Sequence, residues 1–346
     1  MNILVRATNW VGDAIIALPA LHAVRKRFPD AQIAILALPY VADIYRGQGV
    51  AGELIVYDRS AQHKGIGGRE KLAAAIKDKK FDTALLLQNA FDAAWIAWRA
   101  GIPERIGYNR DARGFLLTKK ITVPAAGEIP AHEKYYYLEL VRRAGWIEEL
   151  PEIPEISLQL THEQARRAEE KLQAFGSTPR AVRIAVAAGA SYGSAKCWPP
   201  ERFAAAINRL VRERSAEVLL FGTPGERSVS AAIQNGLEHR ALDLTGKTDI
   251  AELPAMLSRC TVFLGNDSGA MHVAAAVGLP VVAVFGPTDP DGTSPVTPRC
   301  TIVQEKPYCS PCFLRRCPID HRCMTAVAPE RVSAGMLRVL AEVSAG

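Results

Sequence analysis

The segment Gly265-Asn266-Asp267-Ser268-Gly269-Ala270-Met271-His272 runs straight into the apolar stretch Val273-Ala274-Ala275-Ala276-Val277. A helix that starts there leaves its first backbone amides without intrahelical partners, and Ser268 and Gly269 let an anion approach them closely. The arrangement suits a diphosphate. His272 falls one turn after Ser268 on the same helix face. A capped helix with a hydrogen-bonded histidine is the plain alternative, and the close spacing of Gly265, Ser268 and Gly269 favours the anion site.

Three other loops carry groups of the right type. In Ala188-Gly189-Ala190-Ser191-Tyr192-Gly193-Ser194-Ala195-Lys196 the small residues expose backbone amides, Ser191 offers a hydroxyl and Lys196 a point charge for phosphate. Pro199 then fits the first position of a helix. In Phe221-Gly222-Thr223-Pro224-Gly225-Glu226 the Glu226 carboxylate just past a strand suits the two hydroxyls of a ribose; a solvated helix-start glutamate is the alternative. In Thr8-Asn9-Trp10-Val11-Gly12-Asp13, Asp13 opens a helix, either as its N-cap or as a general base near a substrate hydroxyl. Position alone does not separate those two. This loop is not a GxGxxG fingerprint, so a nicotinamide dehydrogenase loses its main support. Asp289-Pro290-Asp291 has Asp-x-Asp metal spacing but sits in a turn-rich stretch, where Asp and Pro are ordinary.

Positioning these loops takes an α/β scaffold. Apolar runs at 2–7, 33–37, 53–57 and 83–87 read as parallel strands buried on both faces, with helices at 11–27 and 71–79 between them. The Pro- and Glu-rich stretch 148–155 interrupts the pattern as a linker. Strands at 184–187, 218–221, 262–264 and 281–285 then alternate with helices at 199–212, 225–234, 251–257 and 268–277, and a last helix spans 329–343. Alternation of this kind predicts two doubly wound sheets, whose ligands bind beyond the carboxyl ends of the strands.

The bulk numbers agree. A chain of 346 residues that is 49% hydrophobic and 23% charged folds as about two compact domains rather than staying disordered. A net charge of +6 fits anionic substrates without demanding nucleic acid. With no apolar run near the roughly 20 residues of a membrane span, and an N-terminus that begins in a strand, a cytoplasmic location is expected. Cys309, Cys312, Cys317 and Cys323 crowd the C-terminal region beside His321, Arg315, Arg316 and Arg322. The first pair has zinc-ligand spacing, so two readings stand: a four-thiolate metal site, or reduced cysteines in a basic loop. No metal ligand is assigned. A Cys-rich metal or nucleic-acid binding module on an α/β scaffold is the rival from another class, and the lack of aromatic–basic clusters counts against it.

Together the Asn9-Trp10-Val11-Gly12-Asp13, Lys196-Cys197-Trp198-Pro199, Phe221-Gly222 with Glu226, Asn266 to Ala276 and Phe285-Gly286-Pro287-Thr288 segments resemble those of the ADP-heptose:lipopolysaccharide heptosyltransferases. The Trp10-Val11-Gly12-Asp13 form and the Cys-rich tail are more similar to the type II branch than to type I. The resemblance implies a GT-B architecture: two Rossmann-like domains, 1–155 and 156–328, facing a central cleft, with helix 329–346 packing back on the first. It implies transfer of L-glycero-D-manno-heptose from ADP-heptose to heptosyl-Kdo2-lipid A with inversion, no cofactor and no required metal, peripheral to the inner face of the inner membrane. A different acceptor, as in type I, is the near alternative. In that scheme Asp13 is the base, and Lys196 neutralises the departing diphosphate with Ser191, Ser268 and Gly269. Glu226 holds the ribose, Asp267 lies near the heptose, His272 supports its loop, and Lys247 and Thr248 flank the adenine. Lys64, Arg69, Arg110 and Arg113 meet the anionic acceptor.

Overall fold

The computed structural model describes residues 1–178 and 182–345. The chain divides into two compact units, Met1–Ile153 and Pro154–Gly346. The division falls inside the Pro- and Glu-rich stretch, two residues before the boundary expected from sequence.

Each unit is built on a six-stranded parallel sheet. The first contains β1 (Asn2–Arg6), β2 (Gln32–Ala37), β3 (Glu53–Val56), β4 (Thr83–Leu86), β5 (Glu104–Tyr108) and β6 (Lys119–Ile121), in the order β3-β2-β1-β4-β5-β6. The second contains β7 (Arg183–Ala187), β8 (Glu217–Leu220), β9 (Leu242–Asp243), β10 (Val262–Asn266), β11 (Val281–Phe285) and β12 (Cys300–Gln304), in the order β12-β11-β10-β7-β8-β9. Numbered within its own unit, each sheet reads 3-2-1-4-5-6. The winding reverses between β1 and β4, and between β7 and β10. Those are the switch points where loops part and a ligand has room.

The central strands are apolar and buried along their whole length, as in β10 and β11. The residues read as one helix over 11–27 form two, Val11–Ile16 and Leu18–Arg27. Pro19 in the first turn of the second helix has no N–H to continue the ladder, so the chain restarts at Ala17. The last helix, Pro329–Ala345, was expected to pack on the first domain. Its Val332, Met336, Val339 and Leu340 join Ile184, Val282 and Val284 in the core of the C-terminal unit. The apolar stripe of that helix is satisfied within its own unit.

Candidate active site

In the C-terminal unit the loops after β7 and β10 meet at the switch point. Asn266 ends β10 fully buried. Its Nδ2 donates to the Ala188 carbonyl at 2.6 Å and its Oδ1 accepts from the Trp198 backbone N–H at 3.0 Å, so one side chain pins both ends of the Ser191–Lys196 loop. Trp198, itself fully buried, donates from Nε1 to the Val327 carbonyl at 3.2 Å. On this fixed base Lys196 closes the short turn Ser194–Lys196 and reaches Asp267 Oδ2 at 2.5 Å. Thr288 Oγ1 donates to the same oxygen at 2.7 Å. The ammonium also lies 4.8 Å above the ring of Tyr192.

Ser268 follows as the N-cap of helix Gly269–Ala276, but its side chain does not cap. Its Oγ is buried and has no hydrogen-bond partner among the described residues. A buried hydroxyl left unpaired costs about 1–3 kcal/mol, so a site that tolerates one is suited to a ligand that pairs it. The first amides of the helix lie beside it and lack intrahelical partners. His272 is buried on the same helix.

Glu226 is carried by the loop after β8. Its Oε2 accepts from the Thr223 N–H at 2.6 Å in a capping box. A Cβ on Gly189 would fall 1.6 Å from Glu226 Oε1, so glycine there makes room for this carboxylate between the ends of β7 and β8. Gly246 packs against Pro224 in the same neighbourhood. Lys247 does not follow it: its Nζ donates to the Asp243 carbonyl at 2.6 Å and stands 5.9 Å over the Phe175 ring. Phe175, Glu217, Asp243 and Lys247 line a cavity of about 930 Å³ along the β8–β9 edge, which none of Lys196, Glu226 and Asp267 lines.

The Cys-rich segment is strapped onto these loops. Tyr192 Oη donates to the Phe313 carbonyl at 2.7 Å, the Ala195 N–H to Arg315 O at 3.1 Å, and Ser310 Oγ to Gly286 O at 2.6 Å. His321 Nε2 pairs with Ala195 O at 2.7 Å. A Cβ at Gly193 would collide with the Arg315 carbonyl at 2.2 Å, so only glycine permits that approach. All seven cysteines are free thiols, and among the described residues no group of three or more His, Cys, Asp or Glu is arranged to hold a metal. The four-thiolate reading therefore has no assembled centre behind it.

This set of loops and sheets matches known proteins. The model for glycosyltransferase family 9 (heptosyltransferase) matches residues 69–322. The chain belongs to glycosyltransferase family 9, the heptosyltransferases. It is 28% identical to lipopolysaccharide heptosyltransferase 2 of Escherichia coli over 311 residues, 88% of each chain. It is 29% identical to lipooligosaccharide heptosyltransferase 2 of Haemophilus influenzae over 320 residues, again 88% of each. The solved structure of the Escherichia coli ADP-heptose lipopolysaccharide heptosyltransferase II superposes with a TM-score of 0.84 at 26% identity, covering 99% of both chains. The expected α/β fold of GT-B type is met in this family 9 glycosyltransferase.

In the N-terminal unit of this heptosyltransferase family member, the loop after β1 is held from two sides. Arg6, buried at the end of β1, donates from Nη2 to Asn9 Oδ1 at 2.7 Å and from Nη1 to the Ala7 carbonyl at 2.5 Å. Burial pulls this guanidinium below its ordinary pKa. Tyr40 Oη donates to the Asn9 carbonyl at 2.9 Å. Asp13 is the third residue of helix Val11–Ile16, whose N-cap is Trp10 without a side-chain cap. The capping alternative for Asp13 is thereby removed. Burial pushes the phenols of Tyr45 and Tyr137 up, and the Asp13 charge pushes both further.

Of the expected acceptor cations, Lys64 and Arg110 are exposed, and Arg69 Nε donates to Tyr57 Oη at 3.2 Å. Arg113 is a correction. It is 0% exposed and its guanidinium donates to Tyr108 O at 3.2 Å, to Asn89 Oδ1 at 2.9 Å and to Gln88 O. Desolvation brings it down to about 10. This arginine braces the loops after β4 and β5 from inside and presents no charge to a ligand. Sequence reasoning also missed Arg6, Tyr40, Tyr192 and Thr288. The available signal for Arg6 was a charge inside an otherwise apolar strand.

Proposed function

We propose that this glycosyltransferase transfers L-glycero-D-manno-heptose from ADP-heptose to heptosyl-Kdo2-lipid A, the type II reaction of the lipopolysaccharide inner core. The observation that carries the donor half is the buried, unpartnered Ser268 hydroxyl beside the amides of helix Gly269–Ala276, with Lys196 and Asp267 at the same switch point. The diphosphate takes the Ser268 hydroxyl and the amides of Gly269 and Ala270, and draws on the Lys196 ammonium. Glu226 holds the ribose.

The chemistry is one displacement. Asp13 removes the proton from the acceptor hydroxyl, and that oxygen bonds to the anomeric carbon of heptose. The bond from that carbon to the diphosphate oxygen breaks on the opposite face, so the configuration inverts and ADP leaves. Charge accumulates on the leaving diphosphate, where fixed donors and one cation stabilise it without reorganisation. Lys64, Arg69 and Arg110 offer cations to the phosphates and carboxylates of the acceptor. The lipid nature of that acceptor makes the enzyme peripheral at the inner face of the membrane.

The test is ADP release from ADP-heptose with either Kdo2-lipid A or its mono-heptosylated form. Turnover with the mono-heptosylated acceptor is expected, and turnover only with the unheptosylated one would refute the type II assignment. Asp13→Ala is expected to lower transfer by about three orders of magnitude or more with ADP affinity nearly unchanged. A near-normal rate would remove Asp13 from the mechanism.

A further inference from the structure

Helix Phe91–Arg99 is apolar on both sides. Its inner face buries Ala93, Ala94, Ile96 and Ala97. A helix packed on a sheet then turns polar residues to solvent. Instead Phe91, Trp95 and Trp98 follow at i, i+4 and i+7 as one stripe, with Phe91 and Trp98 exposed and Trp95 half-buried between them. Phe91 is 44% exposed and Trp98 45%. The apolar surface continues beyond the head of the helix. Phe115, 73% exposed, has its ring centroid 6.1 Å from that of Phe91.

The neighbouring helix Gly65–Lys77 adds Ile66 in its first turn, also 73% exposed. The two helices are tied side by side. Arg69 donates to Tyr57 Oη at 3.2 Å, Tyr57 Oη donates to Asp92 at 3.1 Å, and Arg99 Nε donates to Glu70 at 2.9 Å. Cations accompany it: Lys64 is exposed at the start of its helix, Arg110 is exposed with Asp111 at 3.7 Å in the loop that leads to Phe115, and Arg99 stands 5.7 Å over the Trp98 ring. Contiguous apolar surface on a soluble domain marks an interaction site. Tryptophan beside lysine and arginine is the composition of a surface that lies in a lipid headgroup layer.

We infer that this face of the N-terminal unit docks on an anionic bilayer. Phe91, Trp95, Trp98, Phe115 and Ile66 enter the boundary between headgroups and acyl chains, while Lys64 and Arg110 meet lipid phosphates. Among the described residues no helix is long and apolar enough to cross a membrane, so the contact lies on the surface. The inference rests on the lipid acceptor proposed above. It gives the enzyme a way to reach a sugar that never leaves the membrane plane: the loops after β4 and β5 that carry Phe91 and Phe115 open on the same sheet edge as Asn9 and Asp13.

The test is co-sedimentation with vesicles of phosphatidylethanolamine and phosphatidylglycerol, comparing the parent with the triple variant Phe91→Ser, Trp98→Ser, Phe115→Ser. The parent is expected to sediment with the vesicles, and the triple variant to lose partitioning by about tenfold or more. Equal partitioning of the two proteins overturns the inference, as does a parent that stays in solution. Turnover of a deacylated, water-soluble heptosyl-Kdo acceptor is expected to be the same in parent and variant, which shows that the variant is folded. If the triple variant is unfolded, Trp98→Ser alone serves, with a loss of roughly threefold expected and an unchanged partition overturning the inference. A parent that sediments but transfers heptose to neither acceptor refutes the proposed function and leaves the docking surface standing.

Discussion

Lys196 has two partners to serve, and substitution separates them. Its ammonium lies 2.5 Å from Asp267 Oδ2, with side-chain exposures of 12% and 5%. Lys196→Met leaves Asp267 buried with Thr288 as its remaining hydrogen-bond donor from a side chain. Stranding a buried carboxylate costs about 3–5 kcal/mol, and the Thr288 hydroxyl holds the loss near the lower end, at about 3 kcal/mol. Adding Asp267→Asn removes the stranded charge, so the double variant should recover to within about 1 kcal/mol of the parent. ADP binding should not recover with it. A charge-assisted contact to phosphate contributes about 1.5–3 kcal/mol, so both variants should bind ADP roughly 10- to 100-fold more weakly. Urea unfolding measures the first quantity and titration calorimetry with ADP the second. If the double variant regains parental ADP affinity, Lys196 is a counter-ion for Asp267 and nothing more, and the electrostatic account of leaving-group stabilisation fails.

Four further outcomes follow from particular contacts. Ser268→Ala should raise stability by about 1 kcal/mol, because the buried Oγ has no partner to lose, yet weaken ADP binding by about fivefold; a stability loss would show that the hydroxyl is already satisfied. Arg113→Met should lower the melting temperature by roughly 5–10 °C by orphaning Tyr108 O, Gln88 O and Asn89, and an unchanged melting temperature with a raised acceptor KM would return Arg113 to the acceptor site. Burial pushes the thiols of Cys260 and Cys300 up to about 12 and that of Cys323 up to about 11. At pH 8 a disulfide reagent should therefore label exposed Cys312 first and these three only after denaturation, as peptide mapping would show. The Arg183 guanidinium, with Arg259 beside it, holds Glu169 down to about 2 from 4.5. A carboxylate depressed in the folded state contributes stability above its unfolded pKa and loses it as pH falls through the folded one. Glu169→Gln should thus cost about 2 kcal/mol at pH 7, discounted for partial exposure, and the gap to the parent should close between pH 4.5 and 2; a gap independent of pH would contradict the ion-pair account.

What was legible in the sequence is what local chemistry decides. The eight strands read from apolar runs are all present, as β1 to β4, β7, β8, β10 and β11. Four strands were missed, and the residues show why: β9 is two residues long, β6 reads Lys119-Lys120-Ile121, and β5 (Glu104–Tyr108) and β12 (Cys300–Gln304) interleave polar residues with their apolar ones. The loops proposed for the donor stand out in sequence because glycine, serine and a helix start follow a strand within a few residues. Arg113 was misplaced because its partners lie 5 to 25 residues away, and only the folded chain shows that the guanidinium points inward. The stripe of Phe91, Trp95 and Trp98 was readable as a period, but a period does not say which side of a helix the sheet will take. The alanines decide it, since small side chains let the helix lie close to the sheet and the bulky rings are left outside.

Asn266, Asp267 and Ser268 show the same division within three consecutive residues. Asn266 turns inward to tie the Ala188–Trp198 loop, Asp267 holds Lys196 and Thr288, and Ser268 is left with a buried hydroxyl and nothing to bind. The first two are spent on the architecture of the unit, and each is satisfied. An unsatisfied group persists in a folded protein when something outside the chain completes it. Of the three, Ser268 is therefore the residue that supports the proposed phosphate site, and the other two hold the loops around it in shape.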